Sequence, residues 1–119
     1  MKVGIIGGGG RVGSNAAFTL QLMGAVSEVV LLDVNREAVE GEALDLRHGA
    51  AYSQPIRFHA GDYADLQGAN LVIITAGLRR RPDESRLELI NRNVGLFREI
   101  LGSVKSVQLA EDAIILVVS

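Results

Sequence analysis

Cysteine and tryptophan are absent from this 119-residue chain, and proline occurs only twice. Without cysteine the chain holds no disulfide, no thiolate nucleophile and no thiolate metal ligand, which suits the cytoplasm. Long apolar runs are also missing, because runs such as residues 113–118 are far too short to cross a bilayer. Met1 and Lys2 lead directly into strand-like sequence rather than into a secretory signal. We therefore expect a cytoplasmic protein with no membrane segment and no bound metal.

An excess of one charge is missing as well, since the formal net charge is only −2. Neither nucleic acid nor an anionic membrane is therefore an expected partner, which leaves small molecules and other protein subunits. Hydrophobic residues make up 48% of the chain and charged residues 22%, as in ordinary globular domains. The length fits one domain spanning residues 1–119.

Short apolar runs alternate with segments of helical periodicity along the chain. Helices are predicted from Val12 to Met23, after Asn35 as an N-cap, and after Ser85, which has the capping-box spacing with Glu88. Such alternation predicts an α/β fold with a doubly wound parallel sheet, in which ligands bind beyond the carboxyl ends of the strands. The predicted strands are residues 3–6, 29–32, 56–59, 71–74 within the stretch 70–76, and 113–119.

The helix after Ser85 is predicted to be long and amphipathic, because apolar residues recur there at steps of three and four. A charged, proline-containing loop precedes it, with three consecutive arginines before Pro82. The apolar stripe consists of Leu87, Ile90, Val94, Phe97, Leu101 and Val104.

A glycine-rich turn joins the first strand to the first helix. Gly8, Gly10 and Gly13 have the spacing G-x-G-x-x-G, and Gly7, Gly10 and Gly13 have the wider G-x-x-G-x-x-G. Glycines there permit a tight turn and a close approach of pyrophosphate, which meets free N–H groups at the helix N-terminus. About 20 residues further on, Asp33 ends the second strand, as the dinucleotide-binding fingerprint requires.

These features predict a Rossmann-type domain that binds NAD. Asp33 is expected to accept hydrogen bonds from the ribose hydroxyls and to repel a 2′-phosphate, although the nearby Arg36 leaves the preference over NADP open. The alternative is a flexible turn beside a solvated Asp33. The glycine-turn residues assigned to the cofactor are Gly7, Gly8, Gly10, Arg11, Val12 and Gly13.

The second half resembles the lactate and malate dehydrogenase family. The resemblance rests on VIITA followed by GLRRRPDESRLELINRN at residues 77–93, and the stretch DLRHGA at residues 45–50 is similar as well. It implies that Arg86 binds the substrate carboxylate, a task for a bidentate guanidinium. It also implies that Asn93 lies near substrate and nicotinamide, and that the cofactor is lined by Thr75, Ala76 and Gly77.

Arg80 matches the family's specificity position, where Arg accompanies malate or oxaloacetate and Gln accompanies lactate or pyruvate. Glu84 is more typical of lactate dehydrogenases. We follow Arg80 and expect the substrate pair to be malate and oxaloacetate, with lactate and pyruvate as the alternative, because a buried second carboxylate must be neutralised.

The family's catalytic His, its orienting Asp and a further carboxylate-binding Arg have no counterpart in this chain. Neither His48 nor His59 matches, so no catalytic residue is assigned here, and surface or packing roles are expected for both. The resemblance implies the cofactor half of an enzyme that is homo-oligomeric when full length, and this chain alone is expected to be inactive. Two alternatives are a non-enzymatic NAD-sensing module, which would not need the Arg80–Arg86 loop, and an extended short-chain reductase, which would need a Tyr-x-x-x-Lys pair.

Overall fold

Strands and helices alternate in the computed structural model, which describes residues 1–118. The strands are β1 (Lys2–Ile6), β2 (Glu28–Leu32), β3 (Arg57–Ala60), β4 (Leu71–Ile74) and β5 (Ile114–Val117). The helices are α1 (Arg11–Met23), α2 (Arg36–His48) and α3 (Arg86–Lys105), and two short 3₁₀ helices span Gly49–Tyr52 and Tyr63–Leu66. Ser119, the last residue of the predicted fifth strand, lies outside the described residues.

The five strands form one sheet in the order β3-β2-β1-β4-β5, and every neighbouring pair is parallel. The chain runs outward from β1 to one edge and then, after crossing back, from β4 to the other edge. This order confirms the prediction of a doubly wound Rossmann-type sheet. The switch in direction lies between β1 and β4, where such sheets bind their ligands.

Successive side chains of each strand point to opposite faces of the sheet and pack into two separate hydrophobic cores. A parallel sheet that is covered on both faces requires such an arrangement. On one face Val3, Ile5 and Val29 pack with Ala17 of α1 and Val39 of α2. On the other face Ile6, Val30 and Ile74 pack with Ile100 and Val104 of α3. The helices therefore cover both faces and leave the carboxyl ends of the strands open.

The predicted helix starts are confirmed. The Asn35 side chain accepts a hydrogen bond from the Ala38 N–H at 3.1 Å and caps α2. Ser85 and Glu88 form a reciprocal capping box at the start of α3, with 3.1 Å from the Glu88 N–H to the Ser85 hydroxyl and 3.3 Å from the Ser85 N–H to the Glu88 carboxylate. These caps satisfy N–H groups that the first helical turn leaves unpaired.

Other parts of the sequence-based prediction were wrong in detail. β3 is shifted by one residue, β5 spans fewer residues than predicted, and neither 3₁₀ helix was predicted. The expected stripe of α3 is mostly exposed, including Leu87 (66%) and Ile90 (50%), because the helix contacts the sheet only through its second half. The residues that pack there are Leu96, Phe97, Ile100 and Val104.

Candidate functional site

The glycine turn is held against the neighbouring strands by its own backbone. The N–H groups of Gly7 and Gly8 both donate to the Leu32 carbonyl, at 2.8 and 2.9 Å, and the Gly10 N–H donates to the Gly7 carbonyl at 3.0 Å. Gly7 has a φ of 92°, a backbone conformation that only glycine adopts without strain. The turn is therefore a defined structure, which argues against the flexible-turn alternative.

The N-terminus of α1 presents a surface suited to an anion. Gly10 is the N-cap and brings no side chain that accepts a hydrogen bond, and the first turn has no acidic residue. Gly13 lets α1 approach β1 closely, because a Cβ there would overlap the Gly7 carbonyl oxygen. Unpaired N–H groups and the positive end of the helix dipole thus face the turn, which fits a pyrophosphate.

Asp33 lies beside this turn, directly after β2. One carboxylate oxygen accepts the Gly9 N–H at 3.0 Å and the other accepts the Asn35 N–H at 3.1 Å. Each oxygen retains capacity for a further hydrogen bond, which the ribose hydroxyls can use. The carboxylate therefore links β2, the glycine turn and the start of α2.

The residues after β4 complete the same edge of the sheet. The Thr75 hydroxyl lies 3.2 Å from the Ile6 carbonyl oxygen and 3.3 Å from that of Gly7, so it donates into the base of the turn. From the sequence, Thr75 was expected only to line the cofactor. The hydrogen bonds to the turn were not predicted, because their partners precede Thr75 by 69 and 68 positions in the chain.

These segments surround one cavity of about 530 Å³, within the usual range of small-molecule sites. Of the predicted site residues, the cavity brings together Gly7, Gly10, Asp33, Thr75, Ala76 and Gly77. No motif in the sequence predicted the opposite wall of this cavity. That wall includes Asp62 and Tyr63 after β3 and Leu96, Glu99, Ile100 and Ser103 on α3.

The wall residue Tyr63 carries a hydroxyl whose pKa is raised, mainly by burial and also by the charge of Glu99. It therefore stays a neutral hydrogen-bonding group at physiological pH. The position of Tyr63 after a strand end was the one available signal, since ligands bind beyond the carboxyl ends of parallel strands.

The remaining predicted residues lie outside the cavity lining. Gly8 and Gly13 are buried beneath the turn, whereas Arg11 and Val12 are exposed on the first turn of α1. Arg80 and Arg86 are exposed on the loop and at the start of α3.

Asn93 contacts the loop that carries Arg80, because its side-chain oxygen accepts the Leu78 N–H at 3.0 Å. Asn93 is only partly exposed. The structure therefore places Asn93 as an anchor for the backbone directly after Gly77, at the rim of the cavity.

The two histidines lie away from the cavity. His59 Nε2 is 3.0 Å from a carboxylate oxygen of Glu28, and His48 is the last residue of α2. Within residues 1–118, no group of three or more His, Cys, Asp or Glu side chains is arranged to hold a metal ion. None of the described helices is long and apolar enough to span a membrane.

Comparison with known sequences assigns these features to a family. The family model for the NAD-binding domain of lactate/malate dehydrogenase matches residues 1–119. The L-lactate dehydrogenase of Clostridium botulinum (strain Hall) is 46% identical over 118 residues, which cover 99% of this chain and 36% of that protein. The chain thus spans little more than a third of the length of the curated relatives it matches.

Solved structures agree with this assignment. A lactate dehydrogenase from a Medee basin deep-sea metagenome library superimposes with a TM-score of 0.93 at 38% identity, over 99% of this chain and 37% of that one. The malate dehydrogenase of Archaeoglobus fulgidus, solved with NADH, gives 0.87 at 39% identity, over 100% of this chain and 40% of that one. The cofactor prediction of NAD is confirmed.

Proposed function

We propose that this chain is the cofactor-binding half of an NAD-dependent 2-hydroxy acid dehydrogenase. The chain belongs to the lactate/malate dehydrogenase family and matches its NAD-binding domain. One observation carries the proposal. The glycine turn, Asp33 and the segment after β4 meet at a single cavity, and the arginine-rich loop leaves from its rim.

The proposed roles follow from the chemistry of each group. The N-terminus of α1 binds the pyrophosphate, Asp33 binds the adenosine ribose, and residues 75–77 line the nicotinamide side. Bound NAD supplies the hydride acceptor. Arg86 orients the 2-oxo acid through its carboxylate.

Exchange of the hydroxyl proton needs an acid–base group close to the substrate. The family's proton-relay histidine has no match in this chain. We therefore also propose that residues 1–119 alone bind NAD but do not catalyse the reduction of a 2-oxo acid. The residual function of the isolated domain is then cofactor binding, and catalysis belongs to the full-length protein.

The substrate is proposed to be the lactate and pyruvate pair. Arg80 alone favours malate, but relatives with 46% and 48% identity are L-lactate dehydrogenases. Glu84, the lactate-like feature of the loop, is buried at 6% exposure and is an integral part of the loop structure. Malate and oxaloacetate remain the second candidate, because Arg80 is exposed on the loop and offers a charge for a second carboxylate.

The test is a comparison of kcat/KM for pyruvate and oxaloacetate in the full-length protein that carries this domain. Pyruvate should be preferred, and Arg80→Gln should raise the pyruvate-to-oxaloacetate ratio by roughly 10- to 100-fold, since a charged hydrogen bond to the second carboxylate is lost. Arg79→Gln is the matched control and should leave the ratio nearly unchanged.

Other outcomes select other functions. A preference for oxaloacetate that Arg80→Gln abolishes would establish malate as the substrate. NADH binding without reduction of either 2-oxo acid would point to the non-enzymatic NAD-sensing module.

A further inference from the structure

Glu84 is an unusual residue in the loop between β4 and α3. It is 6% exposed, whereas its neighbours Asp83 and Ser85 are exposed. Among the residues that the structure describes, it is the only charged side chain that is buried. A carboxylate is rarely buried unless it is paired, so its partners indicate what it does.

Both oxygens of the Glu84 carboxylate are hydrogen-bonded. Arg92 Nη1, one helical turn and a half into α3, lies 2.6 Å from one oxygen and 2.7 Å from the other, and the Arg81 N–H donates to the latter at 2.9 Å. The hydrogen bond from Arg92, followed by that from the Arg81 backbone, lowers the pKa of the Glu84 carboxyl. The group is therefore ionised at neutral pH and joins the loop to α3.

The backbone of Glu84 makes two further contacts within the loop. Its carbonyl accepts the Arg80 Nε–H at 2.9 Å, and its N–H donates to the Arg81 carbonyl at 3.1 Å. The other end of the loop is anchored one residue further along α3, where Asn93 accepts the Leu78 N–H. Adjacent side chains of one helix therefore hold both ends of the loop.

We propose that the Glu84–Arg92 ion pair is a positioning device that sets the conformation of residues 78–84 and so determines where Arg80 presents its guanidinium. Neither residue of the pair touches the substrate in this scheme. The effect on substrate binding through Arg80 rests on the proposed function, whereas the effect on the conformation of residues 78–84 does not. A pair that only stabilised α3 would change the free energy of unfolding without changing how substrate binds.

The experiment uses the full-length protein and the variants Glu84→Gln and Arg92→Lys. Glu84→Gln removes the ion pair, and Arg92→Lys keeps the charge but loses the planar guanidinium. We expect KM for oxaloacetate, whose second carboxylate Arg80 would bind, to rise by about tenfold or more, since a small displacement of a binding group is costly. The Kd for NADH should stay within about twofold, because the pair lies outside the cofactor cavity.

Limited trypsin digestion gives a readout that does not depend on activity. The loop offers cleavage after Arg79 and Arg80, whereas Pro82 protects the bond after Arg81. Cleavage at the first two bonds should become several times faster in both variants, because it follows local opening of the loop.

Glu88→Gln is the matched control, since it removes a carboxylate from the same helix start but not from the loop anchor. It should leave both the KM and the cleavage rate close to those of the parent.

The proposal is overturned if both variants keep the parental KM and cleavage rate, or if their KM rises only in step with a loss of NADH binding and thermal stability. Should Glu84→Gln fail to fold, Arg92→Lys alone decides between these outcomes. Should the parent protein reduce neither pyruvate nor oxaloacetate, the proposed function fails, while the digestion still tests the positioning role.

Discussion

Asp33 shows how one residue serves both the fold and the site. Its two oxygens accept the N–H groups of Gly9 and Asn35, so the carboxylate holds the glycine turn next to the start of α2. Arg36, the residue that left the NADP question open, is paired with two carboxylates, since Glu40 lies 2.8 Å and the cavity-wall residue Asp62 lies 3.3 Å from its guanidinium. Asp33 is therefore expected to be the dominant charge beside a bound ribose.

This arrangement predicts a preference for NADH over NADPH. Asp33→Asn should narrow that preference by roughly tenfold, because about 1.4 kcal/mol of repulsion toward the 2′-phosphate is lost while the amide oxygen still accepts the Gly9 N–H. Calorimetric titration with both cofactors measures it. Arg36→Gln is the control and should change little, and a sharp loss of NADPH binding in that variant would contradict the assignment.

The two glycines at the start of α1 should respond differently to substitution. Gly10→Val places its branch where only the Gly7 carbonyl lies near, at 3.3 Å from the Cβ, so it should block pyrophosphate binding and cost at most about 1 kcal/mol through a poorer N-cap. Gly13→Ala forces its Cβ into the Gly7 carbonyl and should destabilise the fold by about 1–3 kcal/mol.

Urea unfolding and NADH titration of both variants separate these effects. Retained NADH affinity in Gly10→Val would remove the phosphate-turn assignment.

At the scale of elements, the pairing of β2 with the edge strand β3 carries a charge cluster. Glu28 lies 3.1 Å from Arg57 and 3.0 Å from His59, its neighbours on β3. Burial raises the pKa of the Glu28 carboxyl, but the hydrogen bonds from His59 and Arg57, with the charge of Lys2, outweigh it and leave the pKa below 4.5. This cluster is the role that the structure gives to His59.

A pH dependence of stability follows from this lowered pKa. A carboxyl with a lower pKa in the folded state stabilises the fold above its unfolded pKa, and that contribution disappears as pH falls through the folded value. Glu28→Gln should therefore flatten the decline in unfolding free energy below about pH 5. Urea unfolding between neutral pH and pH 3 tests this, with the exposed Glu111→Gln as control, and equal slopes in all three proteins would contradict it.

At the scale of the whole molecule, the two edges of the sheet differ. Phe58 of β3 is 1% exposed, whereas Ile114, Ile115, Leu116 and Val117 of β5 are 43–64% exposed. An apolar edge strand with unpaired backbone groups is a template for association. The chain of residues 1–119, when produced by itself, is therefore expected to associate through β5.

Sedimentation velocity over a range of concentrations measures this association. Leu116→Lys should shift the 119-residue chain toward the monomer, because a charge interrupts the apolar edge. Met23→Lys changes a residue of α1 that is 67% exposed and should have no such effect. A monomer at all concentrations in the parent chain would show that the edge is protected.

By itself, the sequence determined the features that depend on near neighbours. The order of strands and helices, the Asn35 cap and the Ser85 capping box follow from periodicity and from hydrogen bonds that span three residues. The glycine turn followed by Asp33 and the family resemblance of the loop were equally visible, which is why NAD could be predicted.

Only the tertiary structure decided the contacts between distant parts of the chain. The strand order, the hydrogen bonds of Thr75 to the turn, the cavity wall at Tyr63 and Glu99, and the burial of Glu84 against Arg92 join residues that no local pattern connects. The exposure of the first half of α3, with Leu87 exposed and Ile100 buried, has the same cause. A helix pattern specifies an apolar face, but the position of the sheet determines which part of that face is covered.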